Sequence, residues 1–111
     1  SHIQKVLPEP YITSRIYFNR YKPGIDGCLH RDGVDLTALM YVSDYDKEFG
    51  GVTQFYENDL NQIFVPPITN RLVIFDSEIL HKGFGFSHQW NPHRITLAFK
   101  LKKDYNKEND N

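Results

Sequence analysis

The tripeptide His30-Arg31-Asp32 carries residue types that bind metal ions. It follows a short stretch, Cys28–Arg31, whose composition predicts an extended conformation, and it precedes Gly33. Side chains two residues apart on a strand project from the same face, about 6–7 Å apart, so an imidazole and a short carboxylate can bind one ion. By itself such a tripeptide is more typical of a capped turn or a solvated polar pair, so other residues must support the metal hypothesis.

A third ligand must come from a distant strand, and His81 is the best candidate. Two histidines and one carboxylate on one octahedral face typically hold a divalent iron ion that keeps open positions for substrate and oxygen. His81 lies at the start of another extended segment. Alternation places Gly83 and Gly85 on the face of His81, where they would leave room beside a metal.

Arg94 and Thr96 begin the last extended segment and share one of its faces. A guanidinium inside a barrel needs a carboxylate partner to offset its desolvation, and no acidic residue in the flanking strand offers one. A bound dicarboxylic acid would be such a partner, with Arg94 as a bidentate donor and Thr96 adding a hydroxyl. The alternative places Arg94 on the outer rim, paired with a surface carboxylate.

The elements that must position these residues are predicted to be strands. Aromatic residues make up 14% of the 111-residue chain and lie in short alternating apolar runs, whereas helix signals are nearly absent. Eight short strands separated by turn sequences favour an all-β fold, either a double-sheet jelly roll (a double-stranded β-helix) or a closed barrel. The predicted strands are Ile12–Arg20, Cys28–Arg31, Leu36–Val42, Val52–Tyr56, Gln62–Val65, Leu72–Phe75, Leu80–Phe84 and Arg94–Leu101.

Length and charge restrict the class of protein further. We expect a single domain over residues 1–111, with a polar tail at about 102–111. The 13 Lys and Arg residues balance 14 Asp and Glu residues, which argues against nucleic acid as a partner. No apolar run approaches the roughly 20 residues of a membrane span.

The single cysteine, Cys28, cannot form an internal disulfide, which favours a cytoplasmic location. We expect the side chain of Cys28 to pack beside His30.

Several stretches follow one another in a characteristic order and spacing over roughly Tyr17 to Leu101. They are Tyr21-Lys22-Pro23-Gly24, His30-Arg31-Asp32, Leu36–Ser43, Gly50–Phe55, Val65-Pro66, Arg71–Asp76, Leu80-His81 and Arg94-Ile95-Thr96. In this order they resemble the iron(II)- and 2-oxoglutarate-dependent oxygenases, and among those the prolyl 4-hydroxylase-like branch. The resemblance implies that His30, Asp32 and His81 are the ligands of iron(II).

The same resemblance implies a site for the cosubstrate 2-oxoglutarate. Arg94 would pair with the distal carboxylate, which the hydroxyl of Tyr41 would also reach, and Tyr21 would line the pocket. The alternative for each tyrosine is an ordinary core position with its hydroxyl satisfied elsewhere. Collagen-type prolyl hydroxylases usually have lysine at the position of Arg94, so the likeness is closer to the oxygen-sensing and microbial members.

The activity implied by the resemblance is hydroxylation of a C–H bond, with O2 as oxidant, 2-oxoglutarate converted to succinate and CO2, and ascorbate as reductant. The implied substrate is a prolyl residue in a protein or peptide, contacted by the loops Lys22–Gly27 and Ser43–Phe49. Two alternatives stay open: a hydroxylase of a free amino acid or another small metabolite, and a non-catalytic jelly-roll module or sugar-binding cupin relative. The cupin pattern of paired histidines with a following glutamate is absent.

An apolar stripe is expected on the outside of the last strand. If Arg94, Thr96 and Ala98 point inward, the residues between them point outward, and an uncovered stripe of this kind is unusual on a monomer. We expect removed N-terminal residues, the Ile3–Leu7 segment or another subunit in a homodimer to cover it. The stripe consists of Ile95, Leu97, Phe99 and Leu101.

Overall fold

Seven antiparallel strands form two sheets in the computed structural model, which describes residues 11–58 and 60–104. A single 3-10 turn at Lys47–Phe49 is the one helical element assigned within those ranges. The strands are β1 (Tyr11–Tyr21), β2 (Leu36–Tyr41), β3 (Thr53–Tyr56), β4 (Gln62–Val65), β5 (Leu72–Asp76), β6 (Leu80–Gly83) and β7 (Arg94–Lys103).

The order of the strands confirms the predicted all-β jelly-roll fold. The larger sheet has the order β1-β7-β2-β5 and the smaller sheet the order β4-β3-β6. Neighbours in each sheet are mostly distant in sequence, because the chain leaves the larger sheet after β2, returns at β5, crosses again to β6 and returns at β7. These four crossings distinguish a jelly roll from two simple hairpin sheets.

β7 shows most directly how residue alternation builds the fold. Arg94, Thr96 and Ala98 are buried on the inner face, as predicted, and Ile95 and Leu97 alternate with them on the outer face. β7 pairs with β1 on one side and with β2 on the other. A central strand therefore carries the polar residues into the space between the sheets.

The apolar core lies between the two sheets and next to those polar residues. Leu39, Phe75 and Ala98 contribute from the larger sheet, and Phe55 contributes from the smaller one. The rings of Phe55 and Phe75 meet edge to face with centroids 4.7 Å apart, a favourable aromatic geometry. This contact joins the sheets close to the candidate site.

The predicted strand Cys28–Arg31 is wrong. Only His30 forms a bridge, exchanging two backbone hydrogen bonds of 3.0 Å with His81 of β6. The stretch lies beside β6, but it is short and is flanked by glycine at positions 27 and 33, so successive pairs do not build a ladder. Cys28 does not pack beside His30 as expected, because its side chain is exposed.

The outer face of the larger sheet agrees only in part with the predicted apolar stripe. Ile95, Leu97 and Phe99 are half-buried, whereas Leu101 is fully buried in a second cluster with Ala38. The segment Ile3–Leu7, expected as a cover, lies outside the described residues. β7 continues to Lys103, so the first residues assigned to a polar tail belong to the strand.

Two loop residues have clear structural roles. Asn70 has a φ of 71°, the left-handed conformation that asparagine tolerates. Trp90 stacks on Phe49 with ring centroids 5.2 Å apart and meets Phe86 at 4.9 Å, so it anchors the loop that precedes β7.

Within the described ranges, no helix has the length and apolar character needed to cross a membrane.

Candidate metal centre

Three side chains from distant parts of the sequence converge at one end of the space between the sheets. His30 and Asp32 come from the connection between β1 and β2, and His81 comes from β6. One ligand atom of each lies within 4.8 Å of the other two. His81 and the carboxylate of Asp32 are buried, whereas the side chain of His30 remains 45% exposed. The structure thus brings together all three residues proposed as ligands.

Backbone carbonyls orient both histidines. Nδ1 of His30 lies 2.7 Å from the carbonyl oxygen of Cys28, and Nδ1 of His81 lies 2.9 Å from that of Ile79. A carbonyl oxygen only accepts hydrogen bonds, so Nδ1 is the protonated nitrogen in each ring. Nε2 is therefore the nitrogen available as a ligand, and this arrangement is common around metal-binding histidines.

Burial and hydrogen bonding keep Asp32 and His81 in the protonation states that metal binding requires. Burial raises the pKa of Asp32, but hydrogen bonds from Lys100 and Thr37 outweigh it and hold the pKa below its ordinary value. Burial lowers the pKa of His81, against the opposing effects of the Ile79 carbonyl and Asp32. Asp32 is thus ionised and His81 neutral near pH 7.

The set of ligand atoms fits a divalent cation. Nε2 of His30 lies 3.3 Å from Oδ1 of Asp32, and Nε2 of His81 lies 3.5 Å from Oδ2. With both rings protonated at Nδ1, each of these contacts joins two electron-pair acceptors. Such acceptors repel one another unless a cation lies between them, and two histidines with a carboxylate suit a transition metal.

Arg94 is buried near this centre without a carboxylate partner among the residues that the structure describes. It is 2% exposed, its Nε donates to the carbonyl of Gly51 at 2.7 Å, and its Nη2 donates to Oγ1 of Thr53 at 2.7 Å. Burial lowers the pKa of the guanidinium, although an arginine remains protonated at any ordinary pH. A buried charge with only neutral partners is an electrostatic site for an anion.

A cavity of about 90 Å³ connects Arg94 with the two histidines. Gly83 lines it, and a Cβ atom there would lie 2.9 Å from the ring of Tyr21 and 3.2 Å from Nη1 of Arg94. The absence of a side chain at Gly83 was expected to leave space beside the metal. In the structure it leaves space beside Arg94 and Tyr21. Gly85 faces the backbone of Ile25 instead, because a Cβ atom there would overlap that residue's carbonyl oxygen.

The other residues proposed for cosubstrate binding occupy different positions. Tyr21 lines the cavity with its ring 5.3 Å from the guanidinium carbon of Arg94, and Thr96 lines it from β7. Tyr41 is fully buried and does not line the cavity, because its hydroxyl donates to Oγ1 of Thr53 at 2.7 Å. Burial raises the pKa of Tyr41, so that the hydroxyl stays protonated.

Comparison with solved structures identifies the fold. A prolyl 4-hydroxylase from Pseudomonas putida matches with a TM-score of 0.69 and 22% identity, over 86% of this chain and 52% of its own. The chain has the prolyl 4-hydroxylase fold. A prolyl hydroxylase from Trichoplax adhaerens, solved with a hypoxia inducible factor oxygen degradation domain peptide fragment, matches with a TM-score of 0.67 and 18% identity, over 91% of this chain and 50% of its own.

A third structure, one of the prolyl 4-hydroxylases from Phytophthora capsici, has a TM-score of 0.58 and 21% identity, over 80% of this chain and 31% of its own. This chain spans about half the length of the first two structures. No family model and no curated protein matches it. At these identities the similarity establishes the architecture, and the chemistry must be argued from the residues of the site.

Sequence reasoning missed three residues of this region, namely Thr37, Thr53 and Lys100. Thr37 donates to Oδ2 of Asp32 at 2.7 Å, and the Nζ of Lys100 lies 2.7 Å from the same oxygen. The alternation that placed Arg94 on the inner face of β7 also places Lys100 there, six residues later. That signal was present in the sequence, whereas the shared contact of Arg94 and Tyr41 with Thr53 was not.

Proposed function

We propose that this chain is the catalytic domain of an iron(II)- and 2-oxoglutarate-dependent dioxygenase of the prolyl hydroxylase type. One observation carries the proposal: a single cavity is lined both by His30 and His81, which cluster with Asp32, and by the buried Arg94, which has no carboxylate partner among the described residues. This combination matches a metal ion and a small dicarboxylic acid. A jelly-roll module without catalysis would have no need for either charge arrangement.

Each residue of the candidate site has a defined task under this proposal. His30, Asp32 and His81 would hold iron(II), which when bound hydroxylates a C–H bond with O2 while 2-oxoglutarate becomes succinate and CO2. Arg94 would bind the distal carboxylate of 2-oxoglutarate. Thr96 would line the same pocket, and Tyr21 would close it.

Thr53 extends the proposed carboxylate site. Its Oγ1 accepts hydrogen bonds from both Arg94 and Tyr41, so its own proton is available for donation. Because Thr53 also lines the cavity, its hydroxyl is placed to donate to the same carboxylate as Arg94. Tyr41 would then act on the cosubstrate through Thr53 and not by direct contact.

A prolyl residue in a protein or peptide is the substrate that we propose. The Trichoplax structure with the same fold contains a peptide fragment, which supports a peptide partner. The loop after β1 is suited to contact such a partner. The side chain of His30 is 45% exposed, so the candidate centre opens towards solvent. The N–H groups of Gly27 and Gly24 donate to the carbonyls of Gly83, at the end of β6, and of Phe86 beyond it, and so fasten this loop beside the centre.

The experiment is a turnover assay with iron(II), 2-oxoglutarate, ascorbate and O2 against a library of proline-containing peptides. We expect formation of succinate and a mass gain of one oxygen on a peptide. His30→Ala should abolish both, whereas Arg94→Gln should mainly raise the 2-oxoglutarate concentration needed, because it removes the bidentate donor. His88→Ala and Arg20→Ala, which change exposed residues, are the matched controls.

The outcomes separate the parts of the proposal. Unchanged succinate formation by His30→Ala would eliminate the ligand assignment. Succinate formation without any oxidised peptide, together with an oxidised free amino acid, would eliminate the peptide substrate and keep the oxygenase. Circular dichroism of the four variants establishes that each is folded before its activity is compared.

A further inference from the structure

Lys100 is a buried cation in direct contact with one of the proposed metal ligands. It lies on the inner face of β7 with 4% of its surface exposed. Its Nζ is 2.7 Å from Oδ2 of Asp32, and among the described residues Asp32 is its one ion-pair partner. A buried ammonium needs such a partner, so the charge of Asp32 is already engaged within the protein itself.

Two donors share the same oxygen of Asp32. Thr37 donates to Oδ2 at 2.7 Å, and since its proton is used there, the buried hydroxyl of Ser77 donates to Thr37 at 2.9 Å. The other oxygen, Oδ1, lies 3.3 Å from Nε2 of His30. Thr37 and Ser77 therefore orient the carboxylate without Lys100, and what Lys100 adds is a positive charge.

We propose that Lys100 is an internal cation that competes with the divalent ion for the charge of Asp32. The inference rests on the proposed function, because it takes Asp32 as a metal ligand. A single carboxylate cannot neutralise both an ammonium and a divalent ion, and burial strengthens the repulsion between these two cations. The centre therefore binds its ion more weakly than its three ligands would without the lysine, and the ion exchanges more readily.

The two donors on Oδ2 provide the test, because they should change metal affinity in opposite directions. Titration of the protein with Co²⁺ alone, followed by calorimetry, measures the affinity without any turnover. Lys100→Met keeps the aliphatic stem and removes the charge, and we expect Co²⁺ to bind about tenfold more tightly or better. Thr37→Val removes an orienting hydrogen bond, and we expect a loss of about 10–100-fold, as is typical of residues that support a metal ligand.

Matched variants separate the effect of the Lys100 charge from a purely structural effect of the substitution. Lys102→Met changes an exposed lysine of the same strand and should leave the affinity unchanged. Lys100→Arg keeps the charge and should stay within about threefold of the wild type. Lys100→Gln carries the same expectation as Lys100→Met and replaces it if the methionine variant does not fold.

Each result decides between defined alternatives. Equal or weaker Co²⁺ binding by the neutral Lys100 variants would overturn the competition, while wild-type binding that His81→Ala abolishes would still support the metal centre. Tighter binding by Lys100→Arg as well would overturn the role of charge. A wild-type chain that binds no Co²⁺ at all would overturn both this inference and the proposed function.

Discussion

Hydrogen bonds of single residues decide the chemistry available at this site. Tyr41 donates to Thr53, and Thr53 also accepts from Arg94, whose other donor bond goes to the carbonyl of Gly51. All three side chains are at most 2% exposed. The network explains how a guanidinium can be buried without a carboxylate: neutral acceptors orient it, and its charge remains for a ligand.

The raised pKa of Tyr41 predicts a loss of stability at alkaline pH. An unfolded chain releases the Tyr41 proton near its ordinary value of 10.0, whereas burial keeps the proton on the folded protein to higher pH. The unfolded state then binds fewer protons, so the free energy of unfolding falls as pH rises above about 10. Urea denaturation between pH 8 and pH 11 should show this fall in the wild type.

Tyr41→Phe is the test of that assignment. It should cost about 1 kcal/mol at pH 7 through the lost hydrogen bond, and its stability should then fall less steeply above pH 10. Tyr45→Phe, outside the hydrogen-bond network, controls for the removal of a tyrosine. Parallel curves for the wild type and Tyr41→Phe would show that Tyr41 does not cause the alkaline loss.

At the scale of elements, the turn before β3 positions the arginine site. Gly50 and Gly51 have φ values of 72° and 82°, which glycine adopts without strain. The turn aims the Gly51 carbonyl at Nε of Arg94, so the turn that leads into the smaller sheet orients a side chain of the larger one. The two glycines differ in their surroundings, since a Cβ atom on Gly51 would lie 2.5 Å from the ring of Phe86 and one on Gly50 would contact nothing.

This difference predicts unequal effects of the same substitution. Gly50→Ala should cost about 1–3 kcal/mol of unfolding free energy, from backbone strain alone. Gly51→Ala should cost about 1–3 kcal/mol beyond that, because the Phe86 ring must move as well. Chemical denaturation measures both values, and equal losses would mean that the Phe86 contact does not constrain the turn.

At the scale of the whole molecule, the candidate metal centre connects the two sheets. His81 belongs to the smaller sheet, and Thr37 and Lys100 of the larger sheet hold Asp32. The ring of His81 also packs on Phe55 and Phe75, which come from different sheets, at centroid distances of 5.9 and 4.7 Å. A metal ion bound by these residues would therefore stabilise the packing of the two sheets against each other.

Metal addition should raise the thermal stability of the chain. An ion that binds only the folded state adds about 2.7 kcal/mol at a free concentration 100 times its dissociation constant. Thermal denaturation with and without Co²⁺ should show an increase in Tm that EDTA reverses. His81→Ala should lose this increase and His88→Ala should keep it; an increase retained by His81→Ala would place the ion elsewhere.

Most of the fold could be predicted from the sequence through side-chain alternation and turn residues. The side-chain period of two along a strand predicted which residues of β7 face inward, and glycine, proline and asparagine placed the turns. His30 and Asp32 were also predicted to be neighbours, and they are, although the strand from which this was argued does not form. These features depend on residues close in sequence, which is why they can be read without a structure.

The tertiary structure decided several contacts between distant residues that the sequence did not predict. It replaced the strand predicted at Cys28–Arg31 by a single bridge, placed Leu101 in a buried cluster, engaged Tyr41 with Thr53, and brought Lys100 to Asp32. Sheet order and the crossings between the sheets set each of these contacts. Because such contacts join residues far apart in the chain, their geometry is a property of the packed molecule and not of any local pattern.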